Sequence, residues 1–150
     1  MINAIFYDLD GTLLDSMEDL SDALSVLLRR FGEEPAPPGA ARELLKKGSR
    51  NLVVDSVKHR PAGMSDAELY EEFNREYEKR LTAKTAPFPG IVPMLGEIRG
   101  MGLRQAVLSN KKGALTEAVC RHYFGRAVDL ALGTIPLPRK PDPGMLRQAM

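Results

Sequence analysis

The chain opens on Ile2 to Tyr7, INAIFY, a run rich in β-forming residues and apolar on both faces, and it leaves that run through Asp8-Leu9-Asp10-Gly11-Thr12. The run suits a strand inside a parallel sheet. Its exit constrains the fold more than any other stretch. Strand periodicity points residues 8 and 10 the same way, and Gly11 permits a tight turn. Two carboxylates therefore stand side by side at the carboxyl end of a strand, which is where open α/β sheets bind ligands.

The rest of the chain supports such a sheet. Ser16, followed by Asp19, resembles a capping box with Asp in the Glu position, and Leu20, Leu24, Leu27, Leu28 and Phe31 follow at helical spacing. Gly32 to Ala40, GEEPAPPGA, breaks that helix. Further helical patterns lie near Ala40 to Lys47 and Arg50 to His59. Another begins at Ser65, which forms a Ser-x-x-Glu box with Glu68. Leu69, Phe73, Tyr77 and Leu81 then make a stripe read as helix–helix packing. Residues 16–85 are thus expected to be all-helical. After APFPGI, Ala86 to Ile91, the pattern becomes a helix over 91–100, a strand LRQAVLSN ending at Ser109, a helix over about 113–124 and a strand AVDLALG closed by Gly133. A proline-rich loop, PLPRKPDP, leads to a last helix started by Asp142-Pro143. Strands alternating with helices imply an α/β fold with a parallel sheet and right-handed crossovers. The helical block reads as a second domain inserted after the first strand.

Composition narrows the function. The 150 residues are 43% hydrophobic and 27% charged, ordinary for a globular chain, and the net charge of +1 gives no broad attraction to nucleic acid or to an anionic membrane. The basic clusters Arg29-Arg30, Lys46-Lys47, Lys111-Lys112 and Arg139-Lys140 read as solvated surface, Lys140 excepted for its context. The single cysteine, Cys120, allows no internal disulfide and fits a reducing compartment. No basic, then apolar leader precedes the first strand, and no apolar run approaches the ~20 residues of a membrane span. A cytoplasmic location is expected.

Three polar features fall at strand ends: Asp8-x-Asp10, Ser109-Asn110, and Lys140 in the loop after the third strand. Neighbouring carboxylates repel unless a cation lies near them or one holds a proton, and both situations are chemically useful. Magnesium takes one or two carboxylates together with a substrate phosphate. An ionised aspartate attacks phosphorus, and a second carboxyl donates a proton to the leaving alkoxide and later takes one from water. The pair therefore suits a two-step phosphoryl transfer with Asp8 as nucleophile and Asp10 as acid, then base. The transferring group spreads negative charge over its oxygens. The Ser109 hydroxyl with nearby amides of Asn110, the Lys140 ammonium, and turn amides of Gly11 and Thr12 left open are the candidate donors to it.

DLDGTLLDS, VLSNK and RKPDP, in this order, resemble the first three motifs of the haloacid dehalogenase superfamily, and more narrowly its phosphoglycolate phosphatase-like branch. The resemblance spans essentially the whole chain. It implies a Rossmann-like core from residues 1–15 and 86–150, and an α-helical cap from 16–85. It further implies a phosphatase acting on a small phosphorylated metabolite such as 2-phosphoglycolate, with Mg2+ as cofactor. Asp8 would be nucleophile and metal ligand, Asp10 would be acid/base and bind the metal through its backbone carbonyl, Ser109 would bind phosphate, and Lys140 would stabilise charge. Asp10 separates phosphate ester cleavage from dehalogenation, which needs no second acid there. KKGSRN, Lys46 to Asn51, lies where capped relatives carry a substrate-specificity loop. Arg50 either meets an anionic group of the substrate or is a solvated residue in a helix–helix turn.

The family's fourth motif, an acidic pair on a later strand that completes the magnesium site, has no counterpart after Lys140. The sheet is therefore expected to be incomplete, with INAIFY left as an apolar edge open to association. Either the chain is a piece of a longer protein or another copy covers that edge. A phosphomutase resembling β-phosphoglucomutase, and an inert fragment acting only through its edge, are the competing readings of function. Alone, the 150-residue chain is expected to bind magnesium poorly and to have little phosphatase activity. Losing even outer support for a metal costs ~10–100-fold, and losing a ligand costs more. Steady hydrolysis of p-nitrophenyl phosphate near the rate of a longer relative would contradict this.

Overall fold

The computed structural model describes residues 3–35, 42 and 48–150, which form two compact units, one from residues 1–15 and 86–150 and the other from 16–85. The helix expected near Ala40 to Lys47 lies outside the described residues, apart from Arg42.

The first unit is α/β. Strand β1 (Ala4–Tyr7) pairs in parallel with β4 (Arg104–Lys112), and β4 pairs in parallel with β5 (Leu130–Thr134), in the order β1-β4-β5. The sheet centre therefore falls on β4, whose Gln105 to Ser109 are buried. Apolar on both faces, β1 is nonetheless an edge, and Phe6 stays 36% exposed. Helix α4 (Ile91–Gly100) packs on β4, and α5 (Gly113–Phe124) packs on β4 and β5. The last helix, α6 (Gly144–Ala149), also lies on β4 and β5 and buries Met145. A short antiparallel ladder joins β2 (Leu14–Asp15) to β3 (Ala86–Pro87), extended by the Phe88 N–H donating to Leu13 O at 3.1 Å.

The second unit is helical. Helix α3 (Asp66–Glu78) packs on α1 (Met17–Arg30) and on α2 (Ser49–Ser56). Leu69, Phe73 and Tyr77 are buried as a packing stripe, joined by Leu24, Leu27 and Leu28 of α1. The Ser65–Glu68 capping box forms in full. The one expected at Ser16 does not. Asp19 is fully buried, and its carboxylate instead accepts from Lys84 N–H, Thr85 N–H and the Thr85 hydroxyl, the last two at 2.7 Å. Three donors outcompete the one backbone amide that a capping box offers. Helix α3 also ends at Glu78, short of Leu81, and the following residues run in tight i→i+3 turns. None of the described helices is long and apolar enough to cross a membrane.

In this unit Glu76, its side chain 5% exposed, accepts from Lys79 at 2.7 Å and Arg30 at 2.5 Å, with Arg80 at 3.4 Å. Lys79 foremost, then Arg30 and Arg80, hold its carboxyl down to about 2, from an ordinary value of 4.5. A depressed folded-state value gives stability that is full above 4.5 and is lost as the pH falls toward about 2. Thermal melting is expected to decline across that window, and Glu76→Gln should lower the melting temperature at neutral pH while flattening the acid limb. An unchanged acid limb in that variant would contradict the assignment.

One glycine is dictated by close approach. A Cβ on Gly133 of β5 would collide with the Lys111 carbonyl, lie 2.6 Å from Thr116 Oγ1 and lie 2.8 Å from the Gly113 Cα. Gly133→Ala is expected to cost about 1–3 kcal/mol by overpacking, read as a lower urea midpoint. An unchanged midpoint would mean that β5 does not press on the end of β4.

Candidate active site

The two carboxylates at the end of β1 are each met by a lysine. Lys140 Nζ donates to Asp8 Oδ1 at 2.5 Å, and Lys111 Nζ donates to Asp10 Oδ1 at 2.7 Å. Two cations therefore offset two anions, which answers how neighbouring aspartates stand together.

The pairs differ in burial. Asp8 and Lys140 are 44% and 32% exposed at the side chain, whereas Asp10 and Lys111 are 19% and 4% exposed. Water screens the first pair and leaves Asp8 open to a ligand. A buried lysine without a partner is costly, at several kcal/mol, so its carboxylate is what makes the Lys111 placement tolerable. Lys111 is thus not the solvated surface residue expected from its Lys-Lys context. It follows Ser109 by two positions on a strand, on the same side, and that spacing was the available signal. The other clusters divide: Arg29 is exposed, Arg30 is held by Glu72 and Glu76, and Lys46-Lys47 lie outside the described residues.

The end of β4 is irregular. Its pairing with β5 shifts register between Leu108 and Lys112, and the carbonyls freed there are taken by hydroxyls. The Thr116 hydroxyl is shared between Lys111 O and Lys112 O at 3.3 and 3.1 Å, and Thr134 Oγ1 reaches Lys111 O at 3.3 Å. Sequence reading found neither threonine. Ser109, 1% exposed, accepts from the Lys111 N–H at 3.1 Å and keeps its own proton to donate. The Asn110 side chain grips Lys140: its Oδ1 accepts the Lys140 N–H at 2.7 Å, and its Nδ2 donates to Lys140 O at 3.3 Å. Lys140 Nζ also donates to Leu108 O at 2.6 Å. The loop lysine is therefore fixed at backbone and side chain, and it brings Asn110, Ser109 and Asp8 into one neighbourhood.

The turn after Asp10 departs from expectation. Gly11, at φ 81°, donates its N–H to Leu14 O at 2.8 Å, and the Thr12 N–H goes to Leu9 O at 3.2 Å. These amides are not left open, because the turn closes on its own carbonyls. The Thr12 hydroxyl stands 3.5 Å from Asp8 Oδ2, at the outer limit of a hydrogen bond. Arg50 lies in the other unit, exposed in the first turn of α2.

The donor set also bears on a metal. Among the described residues, no group of three or more His, Cys, Asp or Glu is placed to hold a metal ion. Zinc sites are built from nitrogen and sulfur donors, whereas magnesium keeps several waters and is held by one or two carboxylates plus phosphate. The hard oxygens of Asp8 and Asp10 fit magnesium.

A sequence model of the haloacid dehalogenase-like hydrolases matches residues 2–150. The chain is 34% identical to a phosphoglycolate phosphatase of Nitrosospira multiformis, over 99% of this chain and 68% of that protein. It is 30% identical to one of Neisseria meningitidis, over 99% of this chain and 66% of that protein. The chain thus spans about two thirds of the length of these relatives. The structure superimposes on CbbY from Rhodobacter sphaeroides in complex with phosphate at a TM-score of 0.78 and 26% identity, covering 99% of this chain and 71% of that one. A second CbbY structure, a mutant in complex with xylulose-(1,5)bisphosphate, matches at a TM-score of 0.76 and 25% identity, over 99% and 71% of the two chains. With its sheet topology and its paired acids, the chain belongs to the haloacid dehalogenase-like hydrolase family, on the phosphoglycolate phosphatase-like branch.

Proposed function

We propose that the protein is a magnesium-dependent phosphatase that hydrolyses a small phosphorylated metabolite, 2-phosphoglycolate foremost, through an aspartyl-phosphate on Asp8. The observation that carries this reading is the pairing of each strand-end carboxylate with its own lysine. The names of the relatives support the substrate class, as does the sugar bisphosphate held by the CbbY mutant.

Asp8 is the exposed carboxylate of the two, and its oxygen attacks phosphorus as the ester P–O bond breaks. Asp10, which takes up a proton from solvent as the dianionic ester enters, gives it to the leaving alkoxide and then takes a proton from the water that cleaves the aspartyl-phosphate. Inorganic phosphate leaves and Asp8 is restored. Lys140, clamped by Asn110, sits beside Asp8 and offsets the charge that builds on the phosphoryl oxygens. The Ser109 hydroxyl is the neutral donor to the same oxygens. Asp8, with the Asp10 backbone carbonyl, would hold magnesium, which when bound neutralises phosphate charge and orients the ester. Gly11 and Thr12 shape the turn rather than donate to the substrate through the two amides described above.

The helical unit, residues 16–85, is assigned the role of a cap that keeps water from the transfer. Arg50 is the proposed contact for a substrate carboxylate. The single cysteine is consistent with action in the cytoplasm.

The test is hydrolysis of 2-phosphoglycolate and p-nitrophenyl phosphate by the full-length protein with magnesium. Asp8→Asn is expected to reduce both to background, and Asp10→Asn to reduce 2-phosphoglycolate turnover by ~10²–10⁴-fold. Undiminished hydrolysis in Asp8→Asn would end this reading.

A further inference from the structure

Lys111 is a buried cation for which the reaction as written has no use. It stands at the end of the central strand, 5% exposed, and spans a sequence separation of 101 residues to meet Asp10 Oδ1 at 2.7 Å. A lysine in so dry a place is an expensive way to fill space, since an apolar residue would pack there without the cost of desolvating a charge. Its backbone is fixed on both sides. The N–H is bonded to Ser109 Oγ, and the carbonyl receives the Thr134 and Thr116 hydroxyls. Gly133 presses on that same carbonyl with no room for a Cβ. Asp10 lies beyond the last residue of the edge strand, in a turn bridged to Leu14 and outside the ladder between β1 and β4. The nearby Cys120 thiol feels both charges and is pushed up to about 12 by burial, so it stays neutral and offers Lys111 no competing anion.

We propose that Lys111 is the positioning residue of Asp10: it carries the rigidity of the central strand to the acid/base carboxylate and fixes where the proton is delivered. This rests on the phosphatase reading, in which Asp10 protonates the leaving alkoxide. In this reading Lys111 acts through Asp10 and not on the phosphate or the leaving group. Proton transfer depends on the placement of the donor, so loosening Asp10 harms esters in proportion to how much their leaving group needs a proton. The p-nitrophenolate ion leaves with little help, whereas the alkoxide of 2-phosphoglycolate leaves poorly without it.

The experiment compares kcat/KM for these two esters in the full-length protein with magnesium, for the parent, Lys111→Met, Asp10→Asn and the double variant. Lys111→Met is expected to lower kcat/KM for 2-phosphoglycolate by ~10–100-fold, a part of the general-acid contribution, and to leave p-nitrophenyl phosphate within ~3-fold. In the Asp10→Asn background the same change should add almost nothing, because the two residues act as a unit. Equal losses on both esters, no loss on either, or full additivity with Asp10→Asn would overturn the inference. If Lys111→Met does not melt cooperatively, Lys111→Gln, which keeps a donor without the charge, is read by the same ratio of esters. If neither variant folds, Lys111 is a structural strut and the inference falls. Selective loss in Asp10→Asn without selective loss in a folded Lys111 variant removes this inference alone. A parent that hydrolyses neither ester, or an Asp10→Asn variant as active as the parent, removes the phosphatase reading and the inference with it.

Discussion

Two carboxylates brought to one strand end repel, and much else in the α/β unit follows from how that repulsion is met. The sheet delivers one lysine to each acid from a different direction. Lys140 arrives from the loop after β5, and Lys111 from the end of β4. Neither could do so from an isolated strand. Parallel pairing sets the end of β1, Tyr7, beside Val107, from which β4 runs on to Lys111, and pairing of β4 with β5 brings in the loop that carries Lys140. The four charges sum to zero, so an incoming phosphate and a divalent cation of opposite charge can enter together without leaving a large imbalance.

The asymmetry between the pairs matters as much as their presence. Asp8 and Lys140 remain partly in water, where their mutual attraction is weak and a substrate can intervene. Asp10 and Lys111 are largely withdrawn from it, where removing one partner leaves a poorly solvated charge. Such a division suits the proposed roles, in which one acid is reached by phosphorus and the other stays in place. Supporting contacts are concentrated on the second side and on the backbone of Lys140: Ser109, Thr116 and Thr134 around Lys111, and Asn110 around Lys140.

Much of this was legible in the sequence, and what escaped did so for physical reasons. The strand–turn junction at Asp8 to Thr12 and the alternation of helix and strand after Ala86 marked the sheet and its ligand-binding end, because period and turn residues are local signals. The capping box at Ser65 was legible for the same reason, while the similar pattern at Ser16 misled. Asp19 was claimed by Lys84 and Thr85, partners 65 and 66 residues away, which no local rule sees. Lys111 was missed because a Lys-Lys pair looks like surface unless the burial of its strand is known. Open amides at Gly11 and Thr12 are the expectation from the sequence, because a turn's internal hydrogen bonds cannot be told from its composition. The expected edge at β1 was visible only through the resemblance to a longer family, since INAIFY by itself reads as a strand covered on both faces.

In the proposed reaction the acids at the end of β1, held by their lysines, accept a phosphoryl group on Asp8. Beryllofluoride, a mimic of an acyl phosphate, tests this without turnover. Added with magnesium to the full-length protein and followed by fluorine NMR, it should give a bound signal that disappears in Asp8→Asn and weakens in Lys140→Met. A bound signal undisturbed by the loss of the Asp8 carboxylate would contradict the account.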